Sequence, residues 1–265
     1  MAVHYEIDHH VATVTLDSPG TLNALTLDDL EILAGTWQAV EEDPECYVVI
    51  VTGAGPHAFC SGADLGSLIP LITGRAAAAE DPGAAIGSLD VIKRAFLKDP
   101  LSKPIVAAVN GYCVAGGLEL LQATDIRLAV ADARFSLQEA RWGLFPAGGS
   151  TVRLPRQIPF TCAMDILLTA RMLTADEALQ CGLIGRIVAA EQLAEAAREV
   201  ADVIARNGPI AVQGIKRSVL ECMGLPDARA FEVELAIGAK VLASRDAREG
   251  PSAFIEKRMP VFRNE

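Results

Sequence analysis

An α/β fold of repeated strand–helix units that ends in helices is what this 265-residue chain predicts. Three observations carry that expectation. Short apolar runs at 47–52, 104–109 and 126–130 have the length of buried strands. The first two lead through small, glycine-containing segments into helix-like stretches, the pattern of a strand feeding a helix. From Ala189 onward the strand patterns stop and helical periodicity alone remains.

Composition bounds the rest. Apolar residues make up 51% of the chain, enough for a substantial core in one large domain or a domain with an appendage. No apolar run reaches the roughly 18 residues needed to cross a bilayer. The N-terminus alternates like a strand and lacks the pattern of a signal peptide. Six scattered cysteines without a Cys-x-x-Cys pair are expected to be reduced, buried thiols of a cytoplasmic protein. The net charge of −11 argues against nucleic acid or anionic membrane as a partner. The charge is uneven, acidic over 26–45 and basic over 240–265 through Lys240, Arg245, Arg248, Lys257, Arg258 and Arg263. The basic end offers a local site for a polyanionic small molecule, with a solvated helix surface as the alternative.

Taken in order, 3–7 and 11–16 read as a hairpin around Asp8-His9-His10. The histidine pair has no further ligand at metal spacing, so solvated turn residues are expected. Thr26 caps an amphipathic helix, with Asp29 at the capping-box position and Leu27, Leu30, Leu33 and Trp37 on one face. After the strand at 47–52 and a turn at 53–56, the segment 59–64 opens onto a helix start where Asp64 suits the helix end. A cover over a pocket is expected across 65–97, with a helix at 91–97; a plain surface excursion is the alternative.

The centre of the chain is 110–125. Its Gly116-Gly117 pair opens a short helix that carries Glu119 among Leu118, Leu120 and Leu121. An acidic side chain in such company is rarely buried unless paired or functional. Glycines at a strand-to-helix turn leave N–H groups open to a ligand oxygen. A tight turn with Glu119 facing water is the other reading. Glu139 follows on a loop or strand end, before the turn-rich 143–150. Two carboxylates near sharp turns suit a site that moves protons between carbon and oxygen. Beyond them come a helix at 159–170, a capping box at Thr174 and Glu177 for a helix ending at Gly182, and a strand at 184–188. Helices are expected at 189–207, 209–222, 226–244 and 246–257, with a boundary near Gly208 that divides 1–208 from 209–265.

Five separated segments together resemble the crotonase, or enoyl-CoA hydratase/isomerase, superfamily. They are Pro19-Gly-Thr-Leu-Asn-Ala-Leu25, Ala58-Phe-Cys-Ser-Gly-Ala-Asp-Leu65, 108–120 around Gly116 and Glu119, 135–149, and Glu249-Gly-Pro-Ser-Ala-Phe-Ile-Glu-Lys-Arg258. The resemblance implies an α/β, crotonase-like spiral of ββα units with a C-terminal helical trimerisation region, assembled as a homo-trimer or a dimer of trimers. It implies an acyl-CoA thioester as substrate, coenzyme A being part of that substrate, and no other cofactor or metal. It places an oxyanion hole at the N–H groups of Ala63 and Gly116, and the acid–base pair at Glu119 and Glu139. By the same resemblance Glu119 serves the water and Glu139 the proton at Cα. Leu22, Ala24, Ser61, Asp64 and Leu65 match positions along the coenzyme, and Phe254 and Lys257 match tail positions that reach the coenzyme or acyl chain, often in an adjacent subunit.

The expected activity is therefore reversible hydration of a trans-2-enoyl-CoA. An isomerase that shifts a double bond with one glutamate is the alternative within the family, ahead of a hydrolase or a lyase; a non-catalytic acyl-CoA-binding subunit is the alternative outside it. Two departures from the family pattern stand out. Ala147 replaces the glycine that commonly follows Pro146, and Leu137-Gln138 stands where Gln-Pro is commoner. Core packing is the expected role of Trp142 and Phe145, and reshaping of an acyl pocket the other.

Overall fold

The computed structural model describes residues 3–64, 66, 68 and 90–265. Two sheets organise it. Strands β1 (Val3–Asp8), β2 (Val11–Leu16), β3 (Val48–Gly53), β5 (Ile105–Val109), β7 (Ile126–Val130) and β10 (Arg186–Val188) form the larger sheet in that order. Strands β4 (Ala58–Cys60), β6 (Tyr112–Val114), β8 (Arg134–Ser136) and β9 (Leu173–Thr174) form the smaller one. Pairing is parallel except at the hairpin β1–β2 and at β8–β9.

The chain thus winds as a spiral, one strand in each sheet and then a helix. The middle strands are apolar on both faces because both are covered. Every residue of β5 is buried, as are the first four of β3. Helix α1 (Leu27–Glu42) buries Leu30, Leu33, Trp37 and Val40. Its start carries the expected capping box between Thr26 and Asp29. At its other end the Lys103 ammonium donates to the Val40 carbonyl at 2.5 Å and to the Asp43 carbonyl, a cation at the negative end of the helix dipole.

The described part of α2 covers 90–95. Then follow α3 (Gly116–Leu121), α4 (Ser150–Gln157), α5 (Phe160–Thr169), α6 (Ala175–Gln180) and α7 (Leu193–Ala205), the last packed on β3, β5 and β7. Helices α8 (Pro209–Cys222), α9 (Asp227–Leu242) and α10 (Asp246–Glu256) complete the chain. The Lys216 ammonium ties α8 to the spiral through the Asp125 carboxylate at 2.7 Å and the Lys103 carbonyl at 2.9 Å.

The hairpin, the caps and the C-terminal helices lie close to where periodicity put them. The strands of the smaller sheet do not show in the periodicity, and only the resemblance to a spiral of ββα units implied them. They have two or three residues each, too few for an alternation to show. Helix α4 was also missed, because Pro155 lies inside it. The expected cover over 65–97 falls largely outside the described residues; only 66, 68 and 90–97 can be placed. All six cysteines are free, and burial pushes the Cys60 thiol up to about 12. His10 stacks on Tyr47 at 4.1 Å, and among the described residues no group of three or more His, Cys, Asp or Glu could hold a metal. Among the same residues no helix is long and apolar enough to cross a membrane.

Candidate active site

A cavity of about 360 Å³ opens where α2, α3 and the 138–148 segment meet the loop after β4. Its wall is largely apolar, through Leu25, Leu30, Ile92, Phe96, Leu144 and Phe145. Polar groups are few: Ser61, Gln138 and the carboxyls of Glu119 and Glu139. Ala63 and Gly116 line it as well.

The backbone explains why these amides are open. Strand β6 is followed directly by Ala115, which holds φ 49° and ψ −121°, a conformation that costs a residue with a Cβ about 1–3 kcal/mol. That turn starts α3 abruptly at Gly116, without a side-chain cap. A first-turn N–H has no carbonyl within its own helix, and the Gly116 N–H has no partner among the described residues. The loop beside it is pinned differently. Ser61 N–H donates to the Leu22 carbonyl at 3.0 Å, Leu25 N–H to Gly62 at 2.8 Å, and Asp64 N–H to Leu25 at 2.8 Å. These bonds skip Ala63, whose N–H also has no partner among the described residues. The two loops touch: a Cβ built on Gly62 would stand 3.0 Å from the Gly116 nitrogen.

Glu119 is 4% exposed on α3. Its Oε1 accepts the Ser150 N–H at 3.2 Å, and the N–H groups of Gly148 and Gly149 also favour its charged form. Burial is the stronger influence and raises its pKa above the ordinary carboxylate value. Glu139 begins a single 3-10 turn, Glu139–Trp142. Burial, and then the charge of Glu119, push its pKa up to about 7. Its Oε2 is buried without a hydrogen-bond partner. One carboxyl is thus supplied with several donors, while the other keeps one buried oxygen with none. Such a pair can divide the work of a base and an acid.

The structure brings Ser61, Ala63, Gly116, Glu119 and Glu139 to one cavity. Leu22, Ala24 and Asp64 stand on the adjoining pinned loops and do not line it. Leu65 lies outside the described residues. Phe254, 85% exposed on α10, and Lys257, the left-handed residue that ends that helix, are not among the cavity's lining residues. The basic end is partly neutralised, since Arg258 pairs with Glu249 at 2.5 Å and with Glu256 at 2.6 Å. Core packing for Trp142 and Phe145 is corrected: they are 67% and 70% exposed and line the cavity, because the 3-10 turn and Pro146 carry them out of the sheet's cover.

Sequence reasoning missed Asn23, Gly148, Ser150 and Arg153. Asn23 is buried, takes a left-handed φ of 58°, and donates to the carbonyls of Ala54 and Ala58 at 3.0 and 2.8 Å. Its readiness to adopt that conformation was the available signal. Arg153 holds the end of the α2 segment through the Phe96 carbonyl at 2.8 Å and the Leu97 carbonyl. Nothing local announces that contact.

What fold and cavity define is an α/β spiral whose acid-lined apolar pocket adjoins two open main-chain amides. Known proteins are similar to the chain in sequence and in fold. The family model described as Enoyl-CoA hydratase/isomerase matches residues 6–265. Enoyl-CoA hydratase EchA19 of Mycobacterium tuberculosis (strain ATCC 25618 / H37Rv) is 46% identical over 259 residues, covering 96% of this chain and 94% of that protein. (E)-Benzylidenesuccinyl-CoA hydratase of Thauera aromatica is 36% identical over 263 residues, 99% of each chain. The crystal structure of enoyl-CoA hydratase from Bacillus anthracis aligns over 100% of both chains with a TM-score of 0.90 and 32% identity. The chain belongs to the enoyl-CoA hydratase/isomerase, or crotonase, superfamily.

Proposed function

We propose that the chain is an enoyl-CoA hydratase that adds water reversibly to a trans-2-enoyl-CoA. The observation that carries this reading is the unequal pair of carboxyls in one cavity, beside the amides of Ala63 and Gly116. The family and the names of its relatives support it.

Attack of water at Cβ drives negative charge onto the thioester oxygen. An N–H donor aimed at that oxygen is typically worth about 3 kcal/mol, and Ala63 and Gly116 supply the pair. Glu119 takes the proton of the attacking water as its oxygen bonds to Cβ. The former double-bond electrons then collect a proton from Glu139 at Cα. Glu139, with a pKa raised to about 7, keeps its proton near neutrality, and this suits it to donate. The reverse sequence expels water. These steps need neither a metal nor a redox cofactor. The coenzyme lies along Leu22, Ala24, Ser61, Asp64 and Leu65 in this reading, with Phe254 and Lys257 reaching a neighbouring subunit's site.

The C-terminal region, 209–265, is read as the assembly element of a homo-trimer or a pair of trimers. Large apolar side chains exposed there, including Ile215, Phe231, Leu235, Leu242 and Ile255, support that role. Sedimentation of the purified protein tests it, and a monomer would end it. The free thiols and the acidic balance fit a cytoplasmic setting.

Loss of the conjugated-thioester absorbance of a trans-2-enoyl-CoA tests the activity. Binding without consumption would favour a non-catalytic subunit. Migration of the double bond of a 3-enoyl-CoA without hydration would favour an isomerase.

A further inference from the structure

The end of α2 supplies part of the cavity wall. Ile92 and Phe96 both line the cavity, and both are buried. A Cβ built on Gly116 would stand 3.2 Å from Phe96 Cζ and 3.5 Å from Phe96 Cε1. The edge of the ring thus lies against the residue whose N–H is open to a ligand oxygen.

A helix end leaves its last carbonyls without partners inside the helix. Here three in succession are taken by side chains from distant parts of the chain. Trp37 Nε1, on α1, donates to the Ala95 carbonyl at 2.9 Å. Arg153, on α4, donates through Nη1 to the Phe96 carbonyl at 2.8 Å and through Nη2 to the Leu97 carbonyl. Core packing at Trp37 asks only for a large apolar body, and it asks for no guanidinium at all. What a guanidinium offers is several N–H donors in a fixed plane, and two neighbouring carbonyls each receive one. Its charge also suits the negative end of a helix. The main chain that carries Phe96 is therefore fixed from two sides.

We propose that Trp37 and Arg153 are positioning residues that clamp the end of α2, so that Phe96 stands as a rigid wall beside Gly116 and excludes acyl groups branched at Cα. This inference rests on the hydratase reading. In that reading the Gly116 N–H meets the thioester oxygen, and the acyl Cα is bonded to the carbon that bears this oxygen. A methyl group on Cα needs about 3.5–4.0 Å from each ring carbon. Between ring and glycine there is no such room, and the clamp keeps the ring from moving aside.

The test compares wild type, F96A, R153M and W37F on a trans-2-enoyl-CoA and on its 2-methyl-branched counterpart of equal chain length. The quantity read is the ratio of kcat/KM for the branched over the unbranched substrate. Isothermal titration of the two saturated acyl-CoAs gives the matching ratio of affinities without turnover. Wild type should favour the unbranched substrate by at least about tenfold, the lower range of what one such group is worth in an apolar pocket. F96A removes the wall and should raise the ratio by about tenfold. R153M and W37F free the wall without removing it, and each should raise the ratio by at least about threefold. Trp37 is uncharged, so W37F separates the clamp from the loss of a cation. A wild type indifferent to the branch overturns the proposal. So does an equal fall on both substrates in F96A, or a ratio that moves in R153M but not in W37F. If R153M does not fold, W37F decides, and an unmoved ratio there overturns it. If wild type hydrates neither substrate, the hydratase reading fails on its own. The affinity ratio then still reads the wall: a rise in F96A and W37F supports it, and no rise overturns it.

Discussion

Gly148 and Glu119 are packed face to face: a Cβ built on Gly148 would stand 2.7 Å from Glu119 Oε2 and 3.0 Å from Glu119 Cβ. The second contact matters more, because Cβ is near the backbone and cannot swing aside as the carboxyl can. Gly148→Ala should therefore displace the acid as a whole. We expect kcat to drop by about 100-fold, as a displacement near 1 Å does at an oriented group, and stability to fall by about 1–3 kcal/mol from overpacking. Kinetics and urea unfolding of the purified variant measure both. A variant with wild-type kcat would show that Glu119 does not work from its observed position.

Replacing the acids themselves gives the most direct check. Glu119→Gln keeps the shape but removes the base, and Glu139→Gln removes the transferable proton. Each should slow hydration by about 10²–10⁴-fold while the thioester still binds. Binding is read by isothermal titration with a saturated acyl-CoA. Activity surviving either change within a few-fold would assign the chemistry to other groups.

The pKa of Glu139 near 7 makes two pH effects separable. Hydration needs Glu139 protonated, so kcat/KM for hydration should decline as pH rises through about 7, whereas dehydration needs it ionised and should gain over the same range. Stability follows the same proton. Between pH 4.5 and about 7 the folded chain binds a proton at Glu139 that the unfolded chain has released, so stability falls as pH rises through that window. Glu139→Gln removes the burden and should be more stable than wild type at pH 8, by at most about 3 kcal/mol. Thermal unfolding at pH 5 and pH 8 reads the difference, and equal gains at both would refute the linkage.

Ala115 holds its turn at a strained φ of 49°. Ala115→Gly should relieve that strain and raise stability by about 1 kcal/mol. The Gly116 amide then starts from a looser hinge, so kcat should fall while stability rises. Urea midpoints together with kcat test the pair of changes, and a less stable Ala115→Gly would mean that the turn holds no strain.

Much of this protein was legible in its sequence for a local reason. A capping box such as Thr26 with Asp29, or Thr174 with Glu177, closes within a single helical turn. The buried strands β3 and β5 declare themselves through unbroken apolar runs. Glu119 stood out because a carboxyl among leucines is anomalous wherever it occurs, and the segments around it carried the family resemblance. Other features had no local sign. Strands β4, β6 and β8 are three residues long, and only their pairing with one another makes them a sheet. The exposure of Trp142 and Phe145 depends on where a 3-10 turn leaves the core. Ser150 meets Glu119 across 31 residues of chain, and the Phe96 carbonyl meets Arg153 across 57. Side-chain periodicity records which face of an element is buried, but not which distant element buries it. The two carboxyls that meet in the cavity could thus be picked out in the sequence, whereas the different hydrogen bonding of each is set by the tertiary contacts that surround it.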